Sequence, residues 1–198
     1  MKPNAYHLVF NGHADWETPF AMCAITESGR FNVVTVGFSR EPVTTMGGMK
    51  IMPDITTKDL NIEEAAIFVL PGGTQWEQGA NDDLEAILRR VHGAGVPVAA
   101  ICGATLAVIR AGLTRKRRHT SNGKWYVKGM IPEYRDEAAY VESLAVTDGH
   151  LITASGLGGI EFAREVIKLL GLYEETEAQE WFEMHKHGVV PAKYQSAR

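Results

Sequence analysis

The chain has 198 residues, of which 45% are hydrophobic and 22% charged, a balance that suits one globular domain and excludes a disordered or fibrous chain. Twenty Lys and Arg against 24 Asp and Glu leave a formal charge of -4, so no general positive field gathers a phosphate backbone and no nucleic-acid partner is expected. The longest apolar runs, Ala65–Leu70 and Val96–Cys102, are strand-sized, and no basic start precedes a long apolar stretch, so no membrane association and a cytoplasmic location are expected.

Tyr6–Phe10 is a short apolar run that stops at Asn11-Gly12, and helical spacing follows from about Trp16 to Ser28, closed by Gly29. Phe31–Val36 is rich in β-branched residues and reads as the second strand, while Val43–Thr45 and Lys50–Met52 flank Gly47-Gly48 like a small hairpin stopped by Pro53. Ala65–Leu70 is apolar throughout, as in a parallel strand covered on both faces, and Pro71-Gly72-Gly73 ends it. Leu84, Ile87, Leu88 and Val91 then recur at helical spacing, with Asp82 and Asp83 in the expected first turn and Gly93 and Gly95 past the expected end.

Val96–Ile101 is the next apolar strand, and Cys102-Gly103-Ala104 turns directly into a helix expected to end at Gly112. The basic run Arg115–Arg118 follows that helix and reads as a solvated turn. Tyr140–Thr147 and Leu151–Thr153 bracket Asp148-Gly149 as a hairpin, Ile160–Leu170 is an amphipathic helix, and a final helix at about Glu175–His187 closes the chain. Strands alternating with helices predict one domain over residues 1–198: a three-layer, doubly wound α/β fold with a mostly parallel, flavodoxin-like sheet.

Ligands of such sheets bind outside the carboxyl ends of the strands, so the segments Gly12–Glu17, Pro71–Gly73 and Cys102-Gly103 carry the expected site. Cys102 at a strand-to-helix turn resembles a nucleophile elbow, where helix N–H groups would lower the thiol pKa and favour thiolate; the bland alternative is a buried cysteine filling space beside Ala99 and Ala100. The Gly103 and Gly73 N–H groups are the expected oxyanion hole. Glu17, on residues alone, is an ordinary first-turn glutamate. His13 and His119 are candidate bases, although a lone histidine is more often a hydrogen-bonded structural or surface residue. Asn122, Trp125 and Tyr126 suit either a pocket wall or packing, and Met46, Met49 and Met52 either a subunit contact or apolar filling. The seven histidines and two cysteines show no metal-ligand spacing, and no phosphate-binding glycine loop opens a helix, so neither metal nor other cofactor is expected.

Asp15-Trp16-Glu17-Thr18-Pro19, Val69–Gly73, Ala99–Ala104 and Asp148-Gly149 through Ser155-Gly156, in that order, resemble the PfpI superfamily, the group of the parkinsonism-associated deglycase, within the class I glutamine amidotransferase-like fold. The resemblance covers nearly the whole chain. It implies that a protonated Glu17 lies against the Cys102 sulfur, that the substrate is a small molecule, and that the protein is a homodimer. The chain departs from the pattern in its basic partner: where many relatives carry histidine, it has Gly103 and Asn122, leaving His13 or His119 to supply an imidazole. The late His-x-Glu pair of glutamine amidotransferases is also missing, Ser155–Gly159 standing at that strand end, which disfavours glutamine hydrolysis.

The expected function is a cysteine-dependent enzyme acting on a small carbonyl or amide-like substrate, of hydrolase, hydratase, deglycase or glyoxalase type, with peptide hydrolysis least favoured. The alternative is a non-enzymatic oxidative-stress sensor that cycles through oxidation of Cys102. A ligand-binding domain that keeps the elbow without its chemistry is the third.

Overall fold

A computed structural model describes residues 2–79 and 84–195 of the chain. Asp82 and Asp83, expected in the first turn of a helix, lie outside the described residues. The two most apolar runs form neighbouring central strands, β6 (Ala65–Leu70) and β7 (Val98–Ile101), because only a strand covered on both faces can bury every side chain. Around them lie β1 (Asn4–Leu8), β2 (Asn32–Gly37), β5 (Ile55–Thr56), β8 (Ala145–Asp148) and β9 (Leu151–Ala154), in the sheet order β5-β2-β1-β6-β7-β9-β8. Within this sheet, among the described residues, only the β8–β9 pair is antiparallel; it is the hairpin read from Asp148-Gly149.

Alternate residues of β6 feed opposite layers. Phe68 and Leu70 join a core with Trp76, Leu84, Leu88 and Leu106, under α2 (Leu84–Gly93) and α3 (Ala104–Arg110). Ile67 and Val69 join Ala21, Ile25, Phe162 and Val166, under α1 (Pro19–Glu27) and α5 (Gly159–Leu170). The sheet runs from β1 outward through β2 in one direction and through β6 in the other, so the order reverses between β1 and β6. The crevice beyond their carboxyl ends is where the fold leaves room for a ligand.

Several boundaries differ from the sequence expectation for local physical reasons. Helix α1 starts at Pro19 rather than near Trp16, because proline suits the first helical position and Thr18 takes the cap; Glu17 is therefore in the loop before the helix and is not a first-turn glutamate. Strand β7 starts two residues late because Pro97 has no N–H, although its carbonyl still accepts from Phe68 N–H at 2.8 Å. Helix α2 continues through Gly93, and α3 stops at Arg110, before Gly112. The expected strand over Tyr140–Thr147 shrinks to β8, with Tyr140 making one isolated bridge to His119. The small hairpin forms as β3 (Val43–Thr44) and β4 (Lys50–Ile51). Helix α6 spans Glu175–His187 as expected, whereas α4 (Lys124–Met130) and the terminal turn α7 (Ala192–Gln195) had no sequence signal strong enough to predict.

Candidate active site

Strand β7 ends at Ile101 and α3 begins at Ala104, leaving two residues to reverse the chain. Cys102 does so with φ at +59°, a left-handed conformation that costs a residue with a Cβ and persists only where neighbours enforce it. They do: the Cys102 N–H donates to Ala154 O at 2.9 Å, and its carbonyl accepts from the Thr105 N–H at 3.1 Å and from Thr105 Oγ1 at 2.6 Å. The strained turn lifts the half-buried sulfur into the crevice beyond the strand ends, as in a nucleophile elbow.

Glu17 reaches the same place from the loop after β1. It is 1% exposed, and its Oε2 accepts from the Gly72 N–H at 2.5 Å while the carboxyl group also hydrogen-bonds the Cys102 side chain. Glycines make this approach possible: a Cβ on Gly72 would lie 2.6 Å from both Cys102 Cβ and Glu17 Oε2. A Cβ on Gly156 would lie 2.9 Å from Cys102 Sγ and 3.2 Å from Glu17 Oε1. Asn122 closes the remaining side, donating from Nδ2 to Cys102 Sγ at 3.3 Å while its Oδ1 accepts from the Gly156 N–H at 2.9 Å. In the sequence Gly72 and Gly156 are only parts of strand-end motifs; their work is spatial, and a lone sequence carries no distance information.

Burial pushes the Glu17 carboxyl up to about 7, against the opposing pull of the Cys102 and Gly72 donors. Burial also pushes the Cys102 thiol up, to about 12, with the Glu17 charge adding to it, while Asn122 and the Gly103 N–H pull the other way. That direction corrects the expectation of a resting thiolate held by helix amides. The helix is only a seven-residue segment, and its N–H groups are outweighed by loss of water and by an adjacent carboxylate. The two groups face each other, so a proton leaving sulfur has an acceptor at contact, and the carboxylate's opposition to thiolate ends once Glu17 is protonated.

The loops carrying the two expected oxyanion donors touch: a Cβ on Gly103 would lie 2.9 Å from Gly73 O. Among the described residues no turn or loop carbonyl accepts from the Gly73 or Gly103 N–H. Tyr126 is buried beside them and donates to Glu77 Oε1 at 3.0 Å, tying α4 to the loop after β6.

The two candidate imidazoles are engaged elsewhere. His119 Nδ1 donates to Arg117 O at 2.8 Å and Nε2 accepts from the Tyr134 hydroxyl at 2.6 Å, so neither ring nitrogen remains to act on sulfur. His13 Nδ1 meets Phe10 O at 2.8 Å within its own turn. Among the described residues no hydrogen bond or ring contact joins either histidine to Cys102. Trp125, 76% exposed, stands on the surface of α4 edge-on to Tyr126 rather than against the sulfur. Among the described residues no group of three His, Cys, Asp or Glu side chains gathers as a metal-ligand set.

Comparison with known proteins places this geometry in context. The model of the DJ-1/PfpI family matches residues 3–169. An uncharacterized protease of Bacillus subtilis, YoaZ, is 36% identical over 192 residues, covering 91% of this chain and 90% of that protein. The deglycase PH1704 of Pyrococcus horikoshii is 29% identical, over 82% of this chain and 96% of its own. The crystal structure of a thiJ/pfpI family protein from Bacillus anthracis superposes with a TM-score of 0.89 at 34% identity, covering 96% of this chain and 92% of that one.

Proposed function

The chain belongs to the DJ-1/PfpI family, and from that premise we propose that it is a cytoplasmic cysteine enzyme acting on the carbonyl carbon of a small, reactive aldehyde or α-oxoaldehyde or its adducts. The observation that carries this is the Cys102–Glu17 contact: a nucleophile on a strained elbow faces a buried carboxyl group whose pKa of about 7 suits reversible proton transfer at neutral pH.

As Cys102 Sγ forms its bond to the carbonyl carbon, the thiol proton passes to Glu17 and the C=O π electrons move onto oxygen. The Gly73 and Gly103 N–H groups receive that oxyanion. Glu17 then returns its proton to the oxygen, completing a hemithioacetal with atoms and charge balanced. In an α-oxoaldehyde adduct the same carboxylate, the base in contact with the reacting sulfur, can take the proton of the former aldehyde carbon, the C–H electron pair moving toward the neighbouring carbonyl so that its oxygen becomes the anion of an enediolate. Peptide hydrolysis is the weaker reading, because protonating an amine leaving group calls for an imidazole or its equivalent, and among the described residues His119 has both ring nitrogens bonded elsewhere while His13, held at Nδ1 by Phe10 O, has no hydrogen bond to Cys102.

Incubation with methylglyoxal tests this directly. Wild type is expected to consume it with turnover, Cys102→Ser to lose that activity, and a peptide substrate to remain intact; absence of turnover by wild type on methylglyoxal and on its arginine and lysine adducts would overturn the proposal. Stoichiometric oxidation of Cys102 is the competing use of this sulfur, favoured by the Asn122 donor at 3.3 Å, which can hold an oxygen added to it. Peroxide oxidation without turnover on any carbonyl would select it.

A further inference from the structure

Away from Cys102, α1, α6 and α7 line a half-open cavity of about 370 Å³, a size typical of small-molecule sites. Residues 188–195 form one side of it. After α6, Gly188 takes φ of +69°, the Val189 N–H returns to Glu183 O at 3.3 Å, and Lys193 Nζ pairs with Glu180 Oε2 at 2.5 Å, which folds α7 back over the helix.

The walls combine aromatic rings with carboxylates. Phe20 stands edge-on to Trp181 with centroids 6.2 Å apart, and Trp181 stacks on His185 at 4.3 Å. Among the described residues of its lining, Glu27, Glu177 and Glu180 stand against one Lys or Arg, Lys193, so this part of the wall carries an excess of negative charge. Burial holds the Tyr173 hydroxyl above its ordinary range, and the charges of Glu27 and Glu177, with Tyr194, add to that in the same direction. The chain's own ammonium group illustrates what the site accepts: Lys193 Nζ lies 5.4 Å from the Tyr194 ring while it pairs with Glu180.

We infer that this cavity binds a small organic cation with an apolar body, an aralkyl ammonium ion, held between the Phe20 and Trp181 rings and the Glu27 and Glu177 carboxylates. Aromatic faces attract ammonium groups electrostatically, and carboxylates at the same wall add to that attraction while repelling anions. The fold-back of α7 limits the occupant to a molecule that fits beneath it. The site is independent of the chemistry proposed for Cys102.

Cys23, an exposed free thiol in the wall, reports occupancy. The full-length protein is titrated with benzyltrimethylammonium at constant ionic strength, and iodoacetamide labelling of Cys23 and Cys102 is followed separately by peptide mass spectrometry. Labelling of Cys23 is expected to slow saturably, about tenfold at roughly ten times the Kd, since only the empty fraction reacts. Cys102 labelling stays unchanged, and benzoate and benzyl alcohol protect neither thiol. Glu177→Gln and Trp181→Leu are each expected to weaken protection about two- to fivefold. Absence of protection, equal protection by benzyl alcohol, or a Cys23 unreactive from the start because a second copy covers α1 would overturn the inference.

Discussion

Two buried regions lie on either side of one short segment, and they differ in how their hydrogen bonds are used. His119, 0% exposed, gives its N–H to Arg117 O and receives the Tyr134 hydroxyl, with the Tyr134 and Tyr140 rings edge-on around it. Three residues later Asn122 touches Cys102 Sγ, where buried Glu17 has one oxygen on the Gly72 N–H and its carboxyl turned to a reactive atom. Burial displaces the titration of both groups, lowering the imidazole and raising the carboxyl. Only the carboxyl retains bonding capacity toward a nucleophile. A perturbed buried group becomes chemistry when its partners are not all spent on structure.

Four substitutions probe that contrast, beginning with the one of largest effect. Cys102→Ser keeps the elbow but replaces the nucleophile, and carbonyl turnover is expected to fall at least about a thousandfold without change in thermal stability beyond about 1 kcal/mol. Steady-state kinetics and a melting curve read both numbers.

Glu17→Gln comes next, with a loss of about a hundredfold or more in activity as proton transfer fails. Its stability effect has a definite sign. Folding raises this carboxyl from 4.5 to about 7, so the acid form is favoured in the fold; the contribution is complete below about pH 4.5 and is lost as pH rises through 7. At pH 8 the glutamine variant is therefore expected to be more stable than wild type, by up to about 3 kcal/mol, with the advantage shrinking toward pH 5. His7 acts in the opposite sense: burial and then His13 lower it from 6.5 to about 3, so its contribution is present above pH 6.5 and lost as pH falls toward 3. Comparing the two proteins at each pH by urea unfolding cancels the His7 part.

His119→Phe should reverse the pattern of the Glu17 substitution. It strands the Tyr134 hydroxyl and Arg117 carbonyl and is expected to destabilise by about 2–3 kcal/mol, while leaving the pH dependence of Cys102 alkylation where it was. A shift in that pH profile would give His119 a part in the chemistry. The smallest effect belongs to Asn122→Ala: with one donor to sulfur removed, the Cys102 thiol titrates higher and activity falls about three- to tenfold. Alkylation rate against pH measures the displacement.

The contrast between these two regions was only half legible in the primary structure. Cys102 stood out because an apolar strand ran into it and a helix left it, a pattern written in consecutive residues. Glu17 can be paired with that sulfur only through family resemblance; its own neighbourhood suggests an ordinary glutamate in the first turn of a helix. His13, at the end of the first strand, and His119, three residues before Asn122 in the segment after the elbow helix, are both candidate bases in the sequence until their ring nitrogens are traced to their partners. Asn122 lay in the right segment, yet nothing local distinguished its sulfur contact from a pocket wall.

Periodicity and turn residues determined the layered α/β class, the central position of β6 and β7, the β8–β9 hairpin and the placement of the nucleophile, because each depends on interactions among near neighbours in the chain. Tertiary structure decided which carboxyl group meets the sulfur, which histidines are retired into the core, the upward direction of the thiol pKa, and the existence of the cavity beneath α7. Those outcomes depend on distances between segments remote in the chain and on how much water their packing removes, and desolvation is a property of the assembled surroundings rather than of any residue's neighbours.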